Sequence, residues 1–146
     1  MDGATAPLYR VNEHTPDPNV AFDPKLAATY VKYARMMAAR GLVQSSLGGM
    51  AVRVAHPDHP DGIVYAKPQG LSLEEVEPEK LVITDIPYGR ILWGERATTV
   101  GHQMNREILR LRPDVNAVIH LHQDGPPPSW RPASRRSARP ASPSAT

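Results

Sequence analysis

The sequence contains no cysteine, one phenylalanine and no long apolar run. The first absence removes disulfides, thiolate metal sites and cysteine nucleophiles. The last removes a bilayer-spanning helix, which needs about 20 nearly uncharged residues. The opening MDGATAPLYR lacks the apolar core of a secretory signal, so a cytoplasmic setting with no membrane partner is expected. Neither sign of charge dominates, with 17 Lys+Arg against 15 Asp+Glu. Aromatics make up only 5%, so stacking side chains set among basic residues are missing and nucleic acid is not an expected partner. What is present, 40% hydrophobic and 22% charged residues in 146, is ordinary for one folded domain.

The chain changes character at its end. Residues 123–146 read QDGPPPSWRPASRRSARPASPSAT and hold six of the 16 prolines, with Trp130 as the only large apolar side chain. Such a stretch has too little apolar surface to offset an ordering entropy of roughly 1–2 kcal/mol per residue, and disorder is expected. Residues 1–122 carry 13 basic and 14 acidic groups and the tail four and one, so the basic balance belongs to the tail. The tail follows abruptly on what reads as a central strand. Three readings stand: GC-rich coding sequence in an altered frame, a natural disordered tail, and a basic binding arm.

Residues 1–22 read as an extended lead-in and 23–122 as the domain. Asp23 caps, Pro24 suits the first helical position and Gly41 closes a helix whose Leu26, Tyr30, Val31, Ala34, Met37 and Ala38 form one stripe. SSLGG at 45–49 is a glycine turn before a strand in which Met50, Val52 and Val54 alternate with Ala51 and Arg53. HPDHPDG at 56–62 reads as a polar, hairpin-like connection to a second strand, Ile63–Ala66. Ser72 is placed to cap an acidic turn, and Leu81–Thr84 and Arg90–Trp93 read as strands joined around Pro87–Gly89. Thr98 or Thr99 precedes a second helix with apolar positions Met104, Ile108 and Leu111, stopped at Arg112-Pro113. Asn116–Leu121 is an apolar run ending in His120-Leu121-His122. Helix, strands, helix, strand implies an α/β protein with a helix-covered sheet.

On a strand, residues two apart share a face, so His120 and His122 are placed to converge on one metal ion, or to form a plain polar strand end. Catalytic zinc normally takes three protein ligands. Of His14, His56, His59 and His102, the last, at a helix start, is the best third candidate; His56 and His59 read as exposed turn residues. Gly48 and Gly49 in the glycine turn, with Thr98 and Thr99 before a helix, suit an anion or are simply a turn and a cap. Lys67 and Gly70 in YAKPQG are further binding candidates, with a solvated lysine as the alternative. The glutamates 74, 75, 77, 79 and 95 lie in polar surroundings and select no acid–base residue.

Taken in order, SSLGGMAVRV, GIVYAKPQGLSLEEVEPEKLVITD, GRILWGERATT and REILRLRPDVNAVIHLH resemble the class II aldolase/adducin family over roughly residues 25–122. The resemblance implies an α/β/α sandwich around a largely antiparallel sheet, expected to be incomplete here, and a homo-oligomer when complete. It implies a lyase or epimerase of carbohydrate metabolism acting on small, often phosphorylated, sugars or hydroxy-carbonyl compounds. It also makes His120 and His122 ligands of a divalent metal, usually zinc, which polarises a carbonyl. The sequence departs from the family pattern at three places. Gly49 and Ala51 replace the asparagine and serine of the usual glycine turn. Gly101 stands where the acid–base glutamate would fall. The third metal histidine normally lies well downstream of His-x-His. An impaired, truncated lyase, a non-catalytic adducin-like interaction domain and an inactive frameshifted fragment are therefore the competing functional expectations.

Overall fold

The computed structural model describes residues 13–122, so the expectation for the tail falls outside the described residues. The first helix, α1 (Pro24–Ala39), forms as its caps dictate. The Asp23 carboxylate accepts from the backbone N–H groups of Lys25 and Leu26, satisfying two of the donors that a helix start leaves unpaired. Gly41, at φ 70°, closes the other end, where its N–H and that of Leu42 return to the carbonyls of Ala38 and Met37.

Five strands follow: β1 (Gly49–His56), β2 (His59–Ala66), β3 (Val82–Asp85), β4 (Ile91–Trp93) and β5 (Ala117–His120), the last after helix α2 (Gly101–Leu111). They form one antiparallel sheet in the order β4-β3-β2-β1-β5. Because side chains alternate along a strand, the sheet has two apolar faces. Met50, Ile63, Tyr65 and Ile83 pack with the α1 residues Ala27, Tyr30, Val31, Ala34 and Met37. Ala51 and Val64 pack on the opposite side with Leu109 of α2. The result is an α/β/α sandwich, the expected fold class, with α2 carrying the chain from the β4 edge across to the β5 edge.

Four local expectations are corrected. The stretch 56–62 is mostly ladder: β1 and β2 run to His56 and His59, which face each other, and only Pro57-Asp58 turns. Backbone pairing needs no apolar side chains where a hairpin projects into solvent, so polarity there was a poor guide. Next, β5 lies at the edge of the sheet among the described residues, where a central strand was expected. Neither Thr98 nor Thr99 caps α2 with its side chain; Val100 is the cap residue, with no side-chain bond. Finally, α2 is turned over. Its apolar positions face outward, with Met104 46%, Ile108 37% and Leu111 62% exposed, while His102, Asn105 and Arg106 are buried.

Ser72 does cap the acidic turn, reciprocally: its hydroxyl accepts from the N–H of Glu75, and its own N–H donates to the Glu75 carboxylate. Residues 13–22 of the lead-in run beside β4, with the Thr15 and Asp17 N–H groups donating to the carbonyls of Ile91 and Leu92. Phe22 stacks on Trp93 at 4.4 Å. No helix among the described residues is long and apolar enough to cross a membrane.

Candidate functional site

The site grows from the register between β1 and β5. Gly49 lies opposite His120, so the glycine turn and the end of β5 are neighbours by backbone pairing alone. The approach is close enough to demand glycine. Gly48 has φ +78°, and a Cβ there would stand 2.8 Å from the His120 carbonyl oxygen and 2.9 Å from Val43. The Tyr30 hydroxyl donates to the Met50 carbonyl at 2.5 Å and ties the start of β1 to α1. Burial pushes that phenol well above its ordinary range, so it stays a neutral donor.

His120 ends β5 and His122 lies just past it, their ring centroids 4.6 Å apart with planes tilted by 38°. Two imidazoles this close are near enough to share one ion, each nitrogen bonding zinc at about 2.0–2.1 Å when turned toward it. A third donor is not brought to it: among the described residues no group of three or more His, Asp or Glu side chains could hold a metal. His120 also abuts the start of α2, where a Cβ on Gly101 would lie 2.9 Å from its Nδ1. The position expected to carry an acid–base carboxylate is thus beside the histidine pair, and it is empty of side chain.

His102, the third ligand candidate, is placed elsewhere. It is 2% exposed, and its Nε2 shares a hydrogen bond of 2.8 Å with the Thr84 hydroxyl on β3. Burial, then the neighbouring Arg106 cation, lowers its pKa to about 3, which keeps the ring neutral. His102 anchors α2 to the sheet. Arg106 does the same through the Ile86 carbonyl at 2.7 Å, with the Gly89 turn lying over its guanidinium.

Thr98 and Thr99 reach the site by a backbone route. Pro68 and Thr98 form an isolated bridge, and the Gln69 N–H donates to the Ala97 carbonyl at 2.8 Å. Thr99 Oγ1 then lies 3.9 Å from where a Cβ on Gly49 would sit. Lys67 is not the solvated lysine of one expectation: it is 1% exposed, and its Nζ donates to the carbonyls of Ser46 and Leu71, both at 2.7 Å. Burial lowers its pKa. The ammonium braces the glycine turn against the loop at 68–71. Gly70, at φ +84°, opens onto a cleft of about 440 Å³ that Glu74 and Glu75 also line and that neither histidine reaches. Gly48, Gly49, Thr99 and His120 come together; His102 and Gly70 stand apart. Asn105 was missed by sequence reasoning. It is 2% exposed and offers its Nδ2 to the same point beside Gly49, also at 3.9 Å. Only the reversal of α2 brings it there, and no motif announces that reversal.

Comparison with known proteins places this arrangement in a class and then in a family. The profile of the Class II Aldolase and Adducin N-terminal domain matches residues 28–125, and the chain belongs to that family. It is 30% identical over 92 residues to a 5-deoxy-D-ribulose 1-phosphate aldolase of Bacillus thuringiensis serovar kurstaki, covering 63% of this chain and 41% of the relative. It is 33% identical over 99 residues to the decarboxylase NovR of Streptomyces niveus, covering 64% and 36%. Among solved structures, YgbL of Escherichia coli is 25% identical with a TM-score of 0.57, covering 69% of this chain and 45% of that one. An L-fuculose 1-phosphate aldolase, 21% identical with a TM-score of 0.61, covers 73% and 48% and shares the fold. The chain spans about half the length of these relatives or less.

Proposed function

We propose that this chain carries part of the site of a metal-dependent lyase or epimerase acting on a small sugar, sugar phosphate or hydroxy-carbonyl compound. The supporting observation is the placement of His120 against both the glycine turn and the start of α2, with the His122 ring centroid 4.6 Å from its own. In this reading the two imidazoles hold a divalent metal, zinc first. When bound, such an ion supplies Lewis acidity toward a substrate carbonyl. The chain's own groups orient the substrate: Thr99 offers a hydroxyl, and Gly49 leaves the space beside it free of a side chain. Self-association through the exposed side of α2, in a cytoplasmic setting, belongs to the same proposal. The aldolase and decarboxylase names of relatives support the reaction class. They do not select a substrate.

The test is titration of the chain with zinc, with a competing chromophoric chelator as the readout. A His120→Ala, His122→Ala double variant is expected to lose the binding, and undiminished affinity in that variant would sink the proposal. One observation favours a second reading, an adducin-like interaction domain without catalysis: Gly101 puts no carboxylate beside His120. Zinc bound through the two histidines with no turnover of any hydroxy-carbonyl compound, and no proton exchange at its α-carbon, is the result that reading expects.

A further inference from the structure

β1 starts beside His120 and ends at His56, so the β1–β2 hairpin tip lies at the end of the sheet away from the histidine pair. There, residues 13–19 run along β4 in parallel. The Glu13 carbonyl accepts from the Ile91 N–H at 2.8 Å, and the Thr15 and Asp17 N–H groups return to the carbonyls of Ile91 and Leu92. Pro16 and Pro18 fix φ on either side of Asp17, which stiffens the stretch. Its root is held by Phe22 stacked on Trp93 and by the Asp23 N–H donating to the Tyr65 hydroxyl. Between root and end, the hairpin tip clasps it. His59 Nε2 lies 2.9 Å from Asp17 Oδ2, His56 Nε2 lies 3.0 Å from the Asn19 carbonyl oxygen, and the Asn19 amide donates to Asp58 at 3.3 Å. Beside the clasp is a cavity of about 420 Å³, walled by residues 15–18 on one side and by residues 58–62 and the β3–β4 turn on the other.

Hydrogen bonding allots the protons of the two imidazoles. His56 donates through Nε2 to a carbonyl, which only accepts, and accepts through Nδ1 from the Asp58 N–H at 3.2 Å, so its ring is neutral in this arrangement. A proton added to His59 instead leaves its bond to the carboxylate in place and makes it charge-assisted, roughly twice as strong. Asp17 stays ionised: hydrogen bonds from His59 and then from the Asn19 N–H hold its carboxyl below the ordinary carboxylate range. The other titratable and charged groups around the clasp are Asp58 and Asp61 on the hairpin, Asp85 at the end of β3, and Tyr88 and Arg90 before β4, with the His56 ring centroid 5.1 Å from that of His59. We infer that residues 13–19 form a pH-sensitive strap over the β4 edge and this cavity, and that protonation of His59 tightens its clasp on Asp17. Imidazole changes charge between about pH 5 and 8, so the strap is held hardest at the acidic end of that window and loosens as pH rises. Closed, it occupies backbone groups of β4 that an open edge offers to another chain.

The experiment follows hydrogen exchange of the full chain by NMR between about pH 5 and 8. Rates are read as protection factors, which divide out the intrinsic pH dependence of exchange. The Thr15 and Asp17 amides should lose protection about three- to fivefold as pH rises, the size of a part-exposed ion pair. Amides of the β1–β2 ladder should not share that loss, because His102 weakens the whole fold toward acid, in the opposite sense. Asp17→Asn keeps an acceptor for the Asn19 N–H without the charge, and His59→Gln keeps a donor that does not titrate. Both variants should give flat profiles, while His56→Gln keeps the slope. The wild-type series decides alone if a variant does not fold. Unprotected Thr15 and Asp17 amides, a flat wild-type profile, or a slope that the ladder amides share overturns the inference. So does a slope that survives in Asp17→Asn and His59→Gln, or one that vanishes in His56→Gln.

Discussion

His102 is neutral inside the fold and free to protonate outside it, and this makes stability depend on pH in a defined direction. Its folded pKa is about 3, against an ordinary value of 6.5. Above 6.5 its contribution is complete. As pH falls from 6.5 toward 3 the unfolded chain takes up a proton that the folded chain refuses, so stability falls by up to about 1.4 kcal/mol per pH unit. Urea unfolding of the wild type and of His102→Asn across that window measures the difference, and the slope assigned to this residue should vanish in the variant. Lys67→Met removes the donor to the carbonyls of Ser46 and Leu71 in two part-buried hydrogen bonds, each with a net contribution of roughly 0.5–1.5 kcal/mol. A lower urea midpoint with an unchanged slope is expected. Gly48→Ala faces a left-handed φ and the His120 carbonyl at once. A loss of about 2 kcal/mol or more, together with weakened zinc binding, should show in parallel unfolding and metal titrations.

At the scale of elements, α2 shows how far the sequence could be read. The periodicity of Met104, Ile108 and Leu111 identified a helix, and the helix is there; the same periodicity assigned the wrong face to the core. Hydrophobic spacing reports which side is apolar and does not report what the apolar side meets. The face against the sheet is decided instead by what fits near Gly49 and by the hydrogen bonds that His102 shares with Thr84 and Arg106 donates to the Ile86 carbonyl, neither of which has a sequence signature. By contrast α1 was legible throughout, because Asp23, Pro24 and Gly41 fix its ends locally. An apolar stripe in water favours association. Replacing Met104 and Ile108 with lysine should shift sedimentation of the full chain toward monomer while leaving its circular dichroism intact. Unchanged sedimentation in the variant would remove α2 as the contact surface.

For the molecule as a whole, the family and the α/β/α architecture were readable from the order of motifs, since each motif is local and the sheet follows from their sequence. The site was readable in part. Gly48, Gly49, Thr99 and His120 converge as their motifs imply, because register brings Gly49 opposite His120. The burial of Asn105 beside Gly49 was not readable, since it depends on the reversed helix. His102 misled, because a histidine at a helix start looks the same in sequence whether it faces a metal or a threonine. The central claim concerns His120 and His122, and it is tested most directly by the zinc titration. The account predicts one zinc per wild-type chain, with affinity at least about tenfold weaker in the His120→Ala, His122→Ala variant. Equal affinity in the two proteins, or no zinc bound by the wild type, would contradict it.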